Sequence, residues 1–336
     1  MRIIAVCPVA CESASAAELT SLGCSNIEEG LGWCRADTQD VWQVLRFSQT
    51  VSCVLFEAGV SDPAQLSDEA AALFSDASSF RVTAITGSRS SERRIGAVLF
   101  ERYGVAVDLE DPMIEVGVVD GMLGFVLSGF DYSLREYKVY KTPHSLNPCV
   151  AASILWGLGV PAGGVFCAPL CSDGVVVIEH ALRSYAVGPR GYQERTLASR
   201  FAQRFPDPGT MGEPVECRIF ALEENANYLR RAEHNARLAG VNKRIGFSRY
   251  DLEWIDMRIG KAAVDRCVVE LVRSNRDDSL LENVRFAADH MLGDDGELIV
   301  ITNDPLVSFE GFVLDRRMVV PRGELALYAL ALRRMR

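Results

Sequence analysis

From Leu146 onward the chain repeats one pattern, a short apolar, β-branched run followed by a helical stretch and then another apolar run. The strand-like runs fall at residues 164–167, 217–222, 245–247, 264–269 and 297–302. Strands separated by helices cannot close as hairpins, so they predict right-handed βαβ units and a mostly parallel, doubly wound sheet. Such a sheet takes its ligand at the carboxyl ends of its strands. Those ends are the place to look for chemistry.

The first 60 residues read differently. A strand at 2–6 and a helix at 12–22 ending at Gly23 are followed by strand-like pieces at 25–28 and 32–36. Asp37-Thr38 opens a second helix through Phe47, and a strand covers 51–57. The order β-α-β-β-α-β is ferredoxin-like. Between 61 and 145, Asp62-Pro63 opens an Ala-rich helix, a strand covers 80–85, and Ile95, Val98 and Leu99 give a helical spacing over 90–103. Further strand-like runs lie at 105–109, 113–119 and 122–127, the last two joined by the hairpin signal Asp120-Gly121. Three segments are expected: 1–60, 61–145 and 146–336.

At 336 residues, 49% apolar and 24% charged, the composition is that of a globular soluble protein and not of a disordered one. No apolar run reaches the roughly 18 residues of a membrane helix, and the start lacks the positive charge of a signal peptide. A cytoplasmic protein without a membrane partner is expected. The net charge of −10 argues against a generally basic nucleic-acid coat, but it is unevenly spread. Residues 1–79 carry −8, whereas 80–145 and 146–336 carry −1 each.

At the strand ends, the turn after the 164–167 run reads Ala168-Pro169-Leu170-Cys171-Ser172-Asp173-Gly174. Its glycine suits a close backbone approach. Glu223 ends the second strand, where a carboxylate can accept both ribose hydroxyls, and Asn225 caps the following helix. Asp251 ends the third. Gly174, Glu223 and Asp251 at successive strand ends outline a nucleoside pocket.

These segments resemble, in order and over nearly the whole chain, the THUMP-containing RNA methyltransferases that act on guanine N2 in transfer or ribosomal RNA. CPVACESASAAELTSLG is similar to the ferredoxin-like lead-in, SFRVTAITGSRSSERRIGAVLFERYGVAVDLEDPMIEV to a THUMP domain, and PHSLNPCVAASILWGLG to the helix entering a Rossmann-like methyltransferase domain. RIFALEENANYLRRAEHNARLAGVNKRIGFSRYDLEWI resembles the second and third cofactor motifs. The resemblance implies S-adenosylmethionine as cofactor. It places Pro169, Cys171 and Gly174 in the first motif, Glu223 on the ribose and Asp251 on the adenine amine. RNA, tRNA foremost, is the implied partner, with no DNA expected.

The departures from the family pattern are local. Where the family has Asp-Pro-Phe-Cys-Gly-Ser-Gly, this chain has Ala168 for the aspartate, Ser172 for the first glycine and Asp173 for the serine. In the Asn-Pro-Pro-Tyr slots it has Glu270, Leu271, Val272 and Arg273. Glu270 is then the candidate acceptor of the target amine's hydrogens. Two functional readings follow. One is methyl transfer to guanine N2, and the other is a catalytically degenerate relative that binds RNA as a chaperone or scaffold, with or without an activating partner.

For RNA, the candidate surface is Arg89, Arg93, Arg94 and Arg102 in and around one helix, with Arg135, Lys138 and Lys141 in the following linker and several aromatic residues nearby. Helix surface charge balanced by Glu92 and Glu101 is the simpler alternative. Arginines 183, 190, 195, 200 and 204 form a second basic stretch, read either as a solvated insertion or as a phosphate contact. Ten cysteines without clustered histidines predict buried thiols and no metal site.

Overall fold

The computed structural model describes residues 1–60, 65–87, 89–129, 131–188, 197–201, 203–209, 211–272 and 278–335. The N-terminal elements are β1 (Arg2–Val6), α1 (Glu12–Ser21), β2 (Ser25–Gly30), β3 (Trp33–Asp37), α2 (Val41–Phe47), β4 (Cys53–Val60), α3 (Asp68–Ser75), β5 (Ser79–Ala84), α4 (Ser90–Tyr103), β6 (Ala106–Val107), β7 (Ile114–Val119) and β8 (Met122–Val126). They build one eight-stranded sheet in the order β2-β3-β1-β4-β8-β7-β5-β6. Antiparallel pairing of β4 with β8 joins the first two segments edge to edge. Phe74, Phe80 and Phe125 pack α3 onto this sheet, with ring centroids 5.0 and 5.7 Å apart. Such aromatic pairs add roughly 0.5–1.5 kcal/mol beyond their buried area.

The C-terminal elements are α5 (Pro148–Gly157), β9 (Gly164–Pro169), α6 (Val175–Ser184), α7 (Leu197–Arg200), β10 (Cys217–Glu223), α8 (Ala226–Leu238), β11 (Ile245–Arg249), β12 (Val264–Leu271), α9 (Asp278–Met291), β13 (Leu292–Thr302), β14 (Phe312–Arg322) and β15 (Leu325–Arg334). The sheet order is β11-β10-β9-β12-β13-β15-β14. β9 through β13 pair in parallel, and β15 runs antiparallel between β13 and β14. The chain steps outward from β9 through β10 to β11, then returns to β12 on the other flank. That reversal opens a crevice beyond the carboxyl ends of β9 and β12.

Several local expectations shift. The second helix starts at Val41 rather than at Asp37-Thr38, because the Asp40 side chain accepts the Trp42 amide proton and sets the cap. The Ala-rich helix starts at Asp68 behind a Ser67 cap, and Asp62-Pro63 lie outside the described residues. The run at 105–109 pairs over only two residues. β14 and β15 carry no strand signal recognised in the sequence. No helix among the described residues is long and apolar enough to cross a membrane.

The two sheets meet on a buried charge. Arg135 donates to Glu179 of α6 through Nε to Oε1 at 2.9 Å and Nη2 to Oε2 at 3.2 Å, and both side chains are fully buried. Tyr137 donates its hydroxyl to Glu179 Oε1 at 2.7 Å, and Gln49 donates Nε2 to Oε2 at 2.8 Å. Burial, then the Glu179 charge, hold the Tyr137 hydroxyl well above its ordinary range, so it remains a donor. Glu18 of α1 completes the junction by accepting the Gln49 and Thr50 amides at 2.7 and 2.9 Å. Arg135 is therefore a structural cation and not part of an RNA-facing surface.

Removing one partner of a buried, hydrogen-bonded pair leaves an uncompensated charge, which costs about 3–5 kcal/mol. Arg135→Met is expected to lower unfolding free energy by about that amount in urea titration. A loss below about 1 kcal/mol, the scale of an exposed pair, would contradict the role assigned to this junction.

Candidate functional site

The turn from β9 into α6 sits at the crevice, and it is folded shut. Cys171 donates its amide to Leu222 O at 3.0 Å, and Ser172 donates its own to Glu223 Oε2 at 2.9 Å. Glu223 Oε1 accepts the Asn225 amide at 3.1 Å, so one buried carboxylate ties the first strand's turn to the second strand's end. Ser172 adopts φ +56° and Leu170 φ +58°, left-handed conformations that cost a non-glycine residue about 1–2 kcal/mol. Glu223 holds that strain in place.

Gly174 has φ +81°, and a Cβ there would lie 2.9 Å from Ala232 Cβ of α8. The glycine permits α6 and α8 to approach, a packing role beside the ligand-facing one expected of it. Cys171 is fully buried, and burial, then the Glu223 and Glu270 charges, push its thiol well above the ordinary value. Glu223 and Glu270 thus converge on the turn from opposite sides of β9.

A strap at residues 140–142 covers the same turn. Thr142 and Ser172 share a hydroxyl contact at 2.8 Å, and the Thr142 amide donates to Asp173 Oδ2 at 3.3 Å. Asn235 donates Nδ2 to Tyr140 O at 2.9 Å and to Asp173 O at 3.0 Å. Asp173 is fully buried, and its Oδ1 has no hydrogen-bond partner among the described residues. The sequence offered no signal for Thr142 or Asn235, whose roles depend on contacts over 30 and 62 residues.

Asp251 lies on an open cavity of about 460 Å³ shared with Glu224, Arg249, Tyr250, Trp254 and Met257. Asp251 caps the short helix Leu252–Met257 by accepting the Glu253 amide at 3.2 Å. Trp254 remains 58% exposed there, a flat apolar surface that a ring could cover. This cavity and Glu223 occupy neighbouring strand ends.

Glu270 lies near the end of β12 and is 6% exposed; Arg273, in the last of the four slots after it, lies outside the described residues. Lys138 is half-buried and donates Nζ to the Leu146 carbonyl. Burial pulls its ammonium below the ordinary value, opposed by the Asp173 charge. Lys138 is therefore tied to the linker's own backbone, within reach of the Asp173 charge. Arg89, Arg93, Arg94 and Arg102 are exposed on or beside α4 and make no ion pair among the described residues, and Lys141 is exposed too. Phe80, Tyr132 and Tyr137 are buried and cannot stack on bases; Tyr140 is 44% exposed and lies against His234. In the second basic stretch Arg183 packs its guanidinium over Trp156, Arg204 pairs with Asp76, and Arg190 and Arg195 lie outside the described residues. Nine of the ten cysteines are buried, and His180 stacks on Phe166 at 4.0 Å, where burial pushes it down to about 3.

A seven-stranded, mostly parallel sheet of this order, with acids at successive strand ends, is a Rossmann-like, doubly wound sheet. Residues 135–271 match the model of the UPF0020 family, described as an RMKL-like methyltransferase domain. The chain is 27% identical over 299 residues to ribosomal RNA large subunit methyltransferase K/L of Syntrophotalea carbinolica, covering 75% of this chain and 41% of that protein. It is 28% identical over 156 residues to tRNA (guanine(6)-N2)-methyltransferase of Methanocaldococcus jannaschii, covering 44% of this chain and 41% of that one. The chain thus spans about two fifths of the length of these curated relatives. The fold of the whole chain is shared with TrmN from Thermus thermophilus, at a TM-score of 0.69, 21% identity and 99% of both chains covered. A possible methylase from Clostridium difficile 630 shares it at a TM-score of 0.72 and 17% identity, covering 100% of this chain and 98% of that one.

Glu223→Ala removes the acceptor of two backbone amides in a buried turn. Chemical denaturation is expected to show a loss of about 2 kcal/mol or more. An unchanged midpoint would mean that the turn does not depend on this carboxylate.

Proposed function

We propose that the chain is an S-adenosylmethionine-dependent RNA methyltransferase acting on guanine N2 in structured RNA, tRNA foremost. The observation that carries this reading is the pairing of Glu223 with the Asp251 cavity at neighbouring strand ends of a methyltransferase-type sheet. In this reading residues 1–60 form a ferredoxin-like lead-in, 61–145 a THUMP RNA-binding unit and 146–336 the catalytic domain.

The adenosine half of the cofactor fits the residues present. Asp251 and Trp254 would hold the adenine, and Glu223, a carboxylate acceptor at the neighbouring strand end, would take the ribose. At the amino-acid end the buried Asp173, with its unpartnered Oδ1, suits an ammonium better than a carboxylate. S-adenosylmethionine supplies an electrophilic methyl group when bound. Glu270 would accept an amine hydrogen of the target base and orient its nitrogen, and the exposed arginines of α4 would hold the RNA backbone.

The second reading is RNA binding without methyl transfer. It is favoured by one observation, the burial of Ser172 and Asp173 under the strap at residues 140–142.

Calorimetric titration with S-adenosylhomocysteine tests the cofactor reading. Saturable binding, weakened at least tenfold by Trp254→Ala, is expected, and absence of binding would overturn it. For RNA, Arg93→Ala with Arg94→Ala is expected to lower affinity for bulk tRNA and to reduce the log–log salt slope by about 1–2. Unchanged affinity at low salt would remove this surface.

A further inference from the structure

The turn between β9 and α6 carries carboxylates where the carboxylate of an amino acid would need donors. Three of its amides are engaged within the chain: Cys171 donates to Leu222 O, Ser172 to Glu223 Oε2, and Gly174 to Cys171 O at 2.9 Å. α6 opens at Gly174 without a side-chain cap, and the positive end of a helix attracts an anion. Asp173, one residue before that cap, already supplies one. An anionic group on a ligand would therefore arrive at a helix end occupied by the chain's own charge.

Asp173 is only half served by its neighbours. Its Oδ2 accepts the Thr142 amide over a long 3.3 Å, while Oδ1 has no partner among the described residues although the side chain is fully buried. A buried carboxylate with one idle oxygen has lost hydration that nothing replaces. Glu223 and Glu270, both buried, act on the same Cys171 thiol as Asp173 does. Lys138 brings one positive charge within reach of Asp173 and Glu270, but its Nζ is bonded to the Leu146 carbonyl. Among these four groups, three acids against one ammonium leave the turn with an excess of negative charge.

We propose that Asp173 makes the crevice select adenosine ligands by the charge of the 5′ tail, favouring a cationic tail without a carboxylate over a zwitterionic or neutral one. This rests on the cofactor reading and narrows it. Decarboxylated S-adenosylmethionine carries a sulfonium and an ammonium with no anion, S-adenosylmethionine adds a carboxylate to these, and S-adenosylhomocysteine lacks the sulfonium charge. The first offers an ammonium to Asp173 Oδ1 and brings no like charge to the end of α6. The same preference separates donor from product, because loss of the methyl group removes the sulfonium charge and with it part of the attraction to the turn.

The test titrates the full chain by calorimetry with these three ligands and with 5′-methylthioadenosine, which is neutral and has no amino-acid tail. Affinity is expected to fall from decarboxylated S-adenosylmethionine through S-adenosylmethionine to S-adenosylhomocysteine, by about tenfold at each step, the scale of one hydrogen bond to a charged group. Asp173→Asn keeps the shape and removes the charge, and Asp173→Ser restores the residue of the family pattern; each should bring the three affinities together. Circular dichroism checks that the variants fold, and the order in the unaltered chain decides the charge preference by itself. S-adenosylhomocysteine binding as tightly as S-adenosylmethionine, or the decarboxylated ligand binding more weakly than the intact one, overturns the proposal. So does an unchanged order in folded Asp173 variants. Equal binding of all four ligands retains the nucleoside site and removes the charge selection, whereas absence of binding by all four removes the cofactor reading itself.

Discussion

The buried ion pair between Arg135 and Glu179 is the contact on which the rest of the molecule depends. Taking both charges out of water costs several kcal/mol each, and the site offsets this only because Tyr137, Gln49 and the backbone supply further hydrogen bonds. The pair also fixes direction. The linker leaves Arg135 and Tyr137 already anchored on α6, so residues 140–142 are delivered onto the turn between β9 and α6. That anchor acts together with Asn235 of α8, which bonds both the amide and the carbonyl of Tyr140 and so holds the strap where Thr142 meets Ser172. One junction therefore positions the N-terminal sheet, the strap and the first strand's turn together.

The crevice is consequently asymmetric. On the β10–β11 side it is open, with an exposed indole and an acid at its rim. Around the turn itself it is closed by the chain's own hydrogen bonds, with Asp173 enclosed and one oxygen unpaired. Beyond β12 and β13 it opens again into a second cavity. Ser172, Asp173 and Glu270, which differ from the family pattern, lie on the turn after β9 and near the end of β12.

Features encoded within a few residues were legible in the sequence. The helix at 90–103, the Asn225 cap and the Asp120-Gly121 turn, both of whose residues have positive φ, depend on local spacing and local torsions. The parallel order of β9 to β13 followed from strand and helix alternation. Long-range pairing was not legible. Arg135 reads as a surface cation in a basic linker because Glu179 is 44 residues away. β15 is rich in Ala and Leu, which favour helices, and becomes a strand only because β13 and β14 flank it. β14 carries charges and Pro321, as an edge strand can. The acidic net charge did not conceal the four exposed arginines on or beside α4, since most of it resides in residues 1–79.

The most direct measurement is transfer of a labelled methyl group from S-adenosylmethionine to RNA by the full chain, followed by mass spectrometry of the digested nucleosides. The account predicts label in N2-methylguanosine. Label on another atom, or no transfer by a protein that binds the cofactor and the RNA, would contradict it.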